Sequence, residues 1–208
     1  MFKKQEKKLW EACRDGKVQK VIKLLQDSQL NTNYQNGSDI LTTPYYIACG
    51  NGHIDIVRLL LNDNRIDINK ARNNGWIPFH IACQQGRTEI VKILLNDQRV
   101  DINQVDNYGW TPFHIACYNG QIEIIKLLLN DKRVDFNKAS KSGYTAFLMA
   151  CSLGQREVVK CLLESGEVDI NKIDSNGKTG LVWAKEKRNT DIIKLIKERE
   201  RKLEEEKL

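Results

Sequence analysis

The 208-residue sequence predicts an all-α repeat protein, a solenoid of about six helix-turn-helix units joined by hairpin loops. Three observations lead there. A short segment returns every 34 residues, proline and glycine punctuate the copies at the same places, and the second half of each copy carries a helical apolar stripe. A fixed period of roughly 20 to 50 residues marks a stacked array, so it outranks any local reading.

The recurring segment is Thr43-Pro44-Tyr45-Tyr46-Ile47-Ala48-Cys49, then Ile77-Pro78-Phe79-His80-Ile81-Ala82-Cys83 and Thr111-Pro112-Phe113-His114-Ile115-Ala116-Cys117. It weakens to Thr145-Ala146-Phe147-Leu148-Met149-Ala150-Cys151 and to Thr179-Gly180-Leu181-Val182-Trp183-Ala184-Lys185. A degenerate first copy, Leu9-Trp10-Glu11-Ala12-Cys13, lies 36 residues before Cys49.

Within a unit, Thr111 is placed to cap a helix and Pro112 to open it, where its missing donor costs nothing. Gly120 is placed to end that helix in a left-handed conformation. The second segment, residues 121–130, spaces Ile122, Ile125, Leu128 and Leu129 as one face of a second helix. Between units, residues 99–109 are too rich in Asn, Asp and Gly for helix and read as an extended, hairpin-like loop. Helices of roughly eight to ten residues are below the length of about 12–15 that is even marginal alone in water, so they must stack to persist.

Thr-Pro-Phe-His-Ile-Ala followed by Gly-x-x-x-Ile-x-x-Leu-Leu resembles the ankyrin repeat, whose first helix is signed Thr-Pro-Leu-His-x-Ala. The resemblance covers about residues 9 to 197. The 34-residue period alone would suit a tetratricopeptide array, but that family lacks the Asn- and Gly-rich hairpin and places its Pro late in the unit. The extra residue lies in Asn-Asp-x-Arg-Val-Asp-Ile-Asn, where the resemblance implies a shorter turn containing Gly. The expected division is one domain: an N-terminal capping repeat at about 1–41, internal repeats 42–75, 76–109, 110–143 and 144–177, and a C-terminal capping repeat with a charged tail at 178–208. The first unit lacks Thr-Pro and the last has Gly180 for Pro and Lys185 for the recurrent Cys, as capping repeats with one wet face require. The tail from Lys194 is expected to prolong the last helix or to fray.

Lys and Arg total 33 against 27 for Asp and Glu. Residues 1–20 hold seven basic and three acidic groups, residues 185–208 hold nine and seven, and residues 21–184 hold 17 of each. The excess is confined to the termini, so the sustained basic stripe that phosphate binding needs is missing. Met1 to Glu11 has no apolar run, and no stretch approaches the length of a membrane span. Secretion and membrane insertion are therefore not expected, and the compartment expected is the cytoplasm, with the nucleus as the alternative. The six cysteines read as reduced thiols rather than a disulfide framework.

Five of them, Cys13, Cys49, Cys83, Cys117 and Cys151, form one column. The resemblance implies a small apolar residue there, so they are expected to pack as small hydrophobes. Helix axes about 8–10 Å apart leave column pairs too distant for a disulfide. Cys161 is also expected in the core. His80 with Cys83, and His114 with Cys117, have a spacing that a metal could use, but the repeat signature produces it anyway, and the resemblance implies that these His satisfy backbone groups of the adjoining loop. His53, in the inter-helix turn, reads as structural. With no nucleophile–base motif, phosphate loop or His-Glu-x-x-His, no catalytic residue, metal or cofactor is assigned and no enzyme is expected.

The resemblance implies binding of another protein through a concave surface of hairpin tips and first-helix faces. Those tips are Asp39-Ile40, Asn73-Asn74, Asn107-Tyr108, Lys141-Ser142 and Ser175-Asn176, and the residues before each helix start are Thr42, Trp76, Trp110, Tyr144 and Lys178. Helix exits contribute Gln84, Gln85, Tyr118, Asn119, Ser152 and Leu153. Trp76, Trp110 and Tyr144 form an aromatic row, close in sequence to Tyr108 and Tyr118, and such rings dominate interface hot spots. The competing reading has each ring stacking on its neighbouring hairpin and serving the array itself. The expected partner set is therefore one unidentified protein, with no nucleic acid, membrane or small-molecule substrate, and a monomeric chain. A regulatory subunit or enzyme inhibitor is the alternative, and a nucleic-acid-binding protein a more distant one.

Overall fold

The computed structural model describes residues 2–37 and 41–206, so the tip Asp39-Ile40 lies outside the described residues. Among them are helices α1 (Phe2–Arg14), α2 (Val18–Leu25), α3 (Pro44–Asn51), α4 (Ile54–Leu61), α5 (Pro78–Gln84) and α6 (Thr88–Leu95). Six more follow: α7 (Pro112–Tyr118), α8 (Ile122–Leu129), α9 (Ala146–Leu153), α10 (Arg156–Ser165), α11 (Gly180–Glu186) and α12 (Thr190–Glu205). They gather into two compact units, Met1–Asn107 and Tyr108–Leu208. In the first, α1, α3 and α5 pack in succession, with α2, α4 and α6 as a second layer. In the second, α7, α9 and α11 do the same, backed by α8, α10 and α12.

The helix starts follow their sequence signals. Thr43, Thr111, Thr145 and Thr179 each accept the backbone N–H three residues on, at 3.1–3.3 Å. Pro44, Pro78 and Pro112 occupy first turns. Ile77 cannot cap, and there His80 Nδ1 accepts from the Ile77 N–H at 3.3 Å. His114 Nδ1 accepts likewise from the Thr111 N–H at 3.2 Å. Its Nε2 therefore carries the proton and donates to the Tyr144 carbonyl at 3.1 Å, tying one repeat to the next loop. His53 Nε2 lies 2.9 Å from the Arg14 carbonyl, which fixes the turn before α4.

Helix ends do the same with glycine. Gly52, Gly120 and Gly154 all have positive φ, 85°, 66° and 72°. Arg188 occupies the same register 34 residues after Gly154 and takes φ 55° without being glycine, a strained departure in the last repeat. The tail prolongs α12 as far as Glu205.

The core of each unit is the Ala-Cys column with the rings beside it: Ala48, Cys49, Tyr45, Phe79, Ala82 and Cys83 in the first, Phe113, Ala116, Cys117, Phe147, Ala150 and Cys151 in the second, all 1% exposed or less. Each fully buried large side chain contributes about 1.5–3 kcal/mol. Burial pushes the Cys13 and Cys151 thiols up to about 12, and those of Cys49 and Cys83 higher still, so they remain neutral. Cys161 is only partly covered, a correction to its expected core position. The stripe of α8 is also shifted from the expected one: Ile124, Ile125 and Leu128 are buried, whereas Ile122 and Leu129 are half-buried. A helix wedged between its own first helix and a neighbouring second helix needs a wider apolar arc than a two-sided stripe.

Two polar devices bind successive repeats. Asn33 Nδ2 donates to the Arg65 carbonyl at 2.7 Å while its Oδ1 accepts from the Asp67 N–H at 2.8 Å. Asn69 does the same with Arg99 and Asp101, and Asn137 with Glu167 and Asp169. In the Asp-x-Arg turn, Arg65 donates to the carbonyls of Leu25 and Asp27 at 2.9 and 2.7 Å, and Arg99 to that of Leu61 at 3.0 Å. Leu25 and Leu61 end α2 and α4, so each guanidinium covers the negative end of the preceding repeat's second helix. Asp63, Asp97 and Asp131 hold Arg65, Arg99 and Arg133 in place, and those arginines keep the three carboxyls below the usual range.

The inter-unit loops are hairpin-like turns. The Arg72 and Gly75 N–H groups donate to the Trp76 and Arg72 carbonyls, and Ser140 and Gly143 repeat the pattern with Tyr144 and Ser140. Turns stack through the backbone, Asn107 N–H on the Asn74 carbonyl at 3.0 Å and Lys141 N–H on the Tyr108 carbonyl at 3.0 Å. A Cβ on Gly143, at φ 79°, would stand 2.6 Å from Ser175 N, so close stacking itself demands glycine.

Gly120→Val is expected to cost about 1–2 kcal/mol, and Arg188→Gly to gain about 0.5 kcal/mol, read as opposite shifts in thermal midpoint by circular dichroism. Equal midpoints would refute the left-handed assignment of both. Asn69→Ala, which removes two hydrogen bonds between repeats, should lower stability by about 1 kcal/mol in urea unfolding.

Candidate functional site

In the unit Met1–Asn107, Trp76 is half-buried and held from three sides. Its ring stacks on His80 with centroids 5.9 Å apart, Arg72 Cζ lies 5.0 Å above it, and its Nε1 donates to Asp106 Oδ2 at 3.0 Å. Asn74 Oδ1 accepts from the Trp76 N–H and from Arg72 Nε, at 3.1 and 2.7 Å. Asn107 Nδ2 donates to the Asn73 carbonyl at 3.1 Å. Gln84 is half-buried and Gln85 exposed, with their side-chain amides 3.4 Å apart.

In the unit Tyr108–Leu208, Trp110 leans on Tyr118 at 5.2 Å and Tyr144 on Trp183 at 5.7 Å. Tyr108 is 69% exposed and Tyr118 45%. Asn119 Nδ2 turns back to the Ile115 carbonyl at 2.8 Å. Trp183, which the sequence reading passed over, donates from Nε1 to Asp174 Oδ2 at 3.0 Å under the Lys178 ammonium. Its signal was available: Asp174 stands 68 residues after Asp106, in the register of Trp76's partner. Thus Trp76, Trp110 and Tyr144 each have a ring partner and each remains half-exposed.

The first unit holds a further feature that sequence reasoning missed. A cavity of about 610 Å³ opens among α1, α3, α5 and the hairpin before α3, lined by Trp10, Tyr46, Ile47, Gly50, Ile81 and the two guanidiniums of Arg72 and Arg87. Trp10 is fixed there by its Nε1, which donates to Thr42 Oγ1 at 3.0 Å. The Tyr46 hydroxyl is buried beside Arg72 with no acceptor among the described residues, and burial drives its pKa well above the usual phenol range, with Arg72 offsetting part of the rise. The cue was departure from the repeat: Tyr46 stands in the register of His80 and His114, and Gly50 in that of Gln84, Tyr118 and Ser152.

Among the described residues, no group of three or more His, Cys, Asp or Glu is gathered as a metal would need. No helix among them is long and apolar enough to cross a membrane.

Models of ankyrin repeats match residues 24–82 (many copies), and 66–140 and 132–206 (three copies). A crystal structure of an ankyrin repeat protein is 33% identical to this chain and superposes with a TM-score of 0.81, covering 90% of this chain and 95% of that one. No curated protein matches. Capping threonines, left-handed helix-end glycines and stacked hairpins agree with these likenesses, and the chain belongs to the ankyrin repeat family.

Proposed function

We propose that the chain binds another protein through its hairpin tips and first-helix faces and performs no chemistry of its own. Ankyrin repeats are generally protein–protein interaction modules, and the family is typically a non-catalytic scaffold. The repeats are counted from residues 1, 42, 76, 110, 144 and 178; the first five each offer one tip to a partner and the last a helix face alone.

The observation that carries this reading is the half-exposed state of Trp76, Trp110 and Tyr144, each held by an intramolecular partner. An aromatic ring already fixed in orientation loses little freedom on binding, which favours its use as an anchor. Tyr108, Tyr118, Asn74, Asn107, Gln84, Gln85 and Asn119 supply the surrounding apolar and hydrogen-bonding surface. A monomeric chain in a cytosol-like compartment, or in the nucleus, goes with it. Nucleic acid is not the partner, since the basic excess is confined to the two ends of the sequence.

Replacing Trp76, Trp110 and Tyr144 together by Ala should leave helical circular dichroism within about a tenth of wild type. Affinity for a partner captured by the wild-type chain should fall at least about a hundredfold, because hot-spot rings each contribute about 2 kcal/mol or more. Undiminished capture would show that the site lies elsewhere. Weak oligonucleotide binding at low salt is the companion expectation, and tight, steeply salt-dependent binding would replace this reading with a nucleic-acid one.

A further inference from the structure

Three groups capable of donating to an anion converge on the cavity in the unit Met1–Asn107. Arg72 donates its Nε to Asn74 Oδ1 and lies over the Trp76 and Tyr46 rings, and Arg87 donates its Nε to the Gly50 carbonyl at 2.9 Å. Neither guanidinium has a carboxylate partner among the described residues, whereas Arg14, Arg65, Arg99, Arg133 and Arg156 are each paired with an acidic side chain. The third donor is the Tyr46 hydroxyl, on a residue only 3% exposed, which sits beside Arg72 and has no acceptor among the described residues. An unpaired buried hydroxyl is costly unless something outside the chain completes it.

The floor is apolar. Gly50 contributes no side chain where Arg14, Gln84, Tyr118 and Ser152 stand in the other repeats, and a Cβ there would meet Ile81 Cγ1 at 2.9 Å. The space left is bounded by Ile47, Ile81 and the Trp10 ring, and no acidic side chain lines it among the described residues. The cavity therefore combines a slot wide enough for an aliphatic side chain with a rim that lacks its counter-charge.

We propose that this cavity binds an acidic peptide segment of the partner protein, taking a Glu or Asp carboxylate between Arg72, Arg87 and the Tyr46 hydroxyl and a neighbouring aliphatic side chain against Ile47 and Ile81. Guanidinium–carboxylate pairs are short, charge-assisted and geometrically selective, and the hydroxyl gains an acceptor that the described residues do not supply. The proposal rests on the reading that the chain binds protein, and it names the chemistry of what is bound.

The probe is a short, terminally blocked, fluorescein-labelled peptide alternating Leu and Glu, compared with its Leu–Gln counterpart by fluorescence anisotropy on the full chain. The Glu peptide should bind at least about tenfold more tightly, as loss of a charge-assisted pair implies. Arg72→Gln with Arg87→Gln should erase that preference, while Lys132→Gln with Lys172→Gln, which removes the same net charge from the other unit at exposed positions away from the tips, should preserve it. Tyr46→Phe separates binding from folding: its thermal midpoint should hold or rise, yet Glu-peptide affinity should drop about fivefold. Equal binding of the two peptides, or a preference that survives the double arginine variant or vanishes equally in the lysine pair, overturns the proposal. If it is overturned while a captured partner still depends on Trp76, Trp110 and Tyr144, the wider reading stands; if capture ignores those rings as well, both fall.

Discussion

Helices α3 to α9 are seven or eight residues long, too short to persist in water, so the fold depends on each one being covered by the next. That cover has an apolar middle and polar edges. In the middle, small residues such as Ala48, Cys49, Ala82 and Cys83 let first helices approach closely, and Tyr45 and Phe79 fill the remaining gaps. At one edge the amides of Asn33, Asn69 and Asn137 offer a donor and an acceptor to the backbone of the following repeat, as a strand would. These bonds lock register, because a shift by one residue would leave both backbone groups unpaired.

The same dependence explains why loops so polar can be so ordered. The hairpins satisfy only part of their own backbone, and Asn107 and Lys141 find acceptors on the preceding turn. Glycines allow the approach. The Asp-x-Arg turn, which lengthens the repeat to 34 residues, repays the extra residue with an arginine that reaches back to the preceding second helix. Isolated surface ion pairs of that kind contribute little, and the gain lies in covering carbonyls at a helix end that would otherwise face only water.

Function is expected where the pattern breaks. The regular repeats spend their polar groups on each other, as the His114 ring and the indoles of Trp76 and Trp183 illustrate. The second repeat does not: Tyr46 replaces the histidine, Gly50 empties a helix position, and Arg72 stands where Asp106 and Asp174 stand elsewhere. Each change separately looks like drift. Together they leave, among the described residues, a hydroxyl without an acceptor and two guanidiniums without a carboxylate partner around one cavity.

The sequence by itself determined the fold class, the capping threonines, the left-handed Gly120 and the burial of the cysteine column, because period, propensity and patterning are local and repeat five times over. It also found the aromatic row, but could not say whether the rings served the array or a partner; the structure shows them held by His80, Tyr118 and Trp183 while half-exposed. Only tertiary structure decided that Cys161 is partly covered, that Ile124 replaces Ile122 in the buried face of α8, and that Arg72, Arg87 and Tyr46 line one cavity. The last of these depends on residues 15 to 41 positions apart becoming neighbours, and spacing along the chain carries no information about which donors such an encounter leaves without a counter-charge.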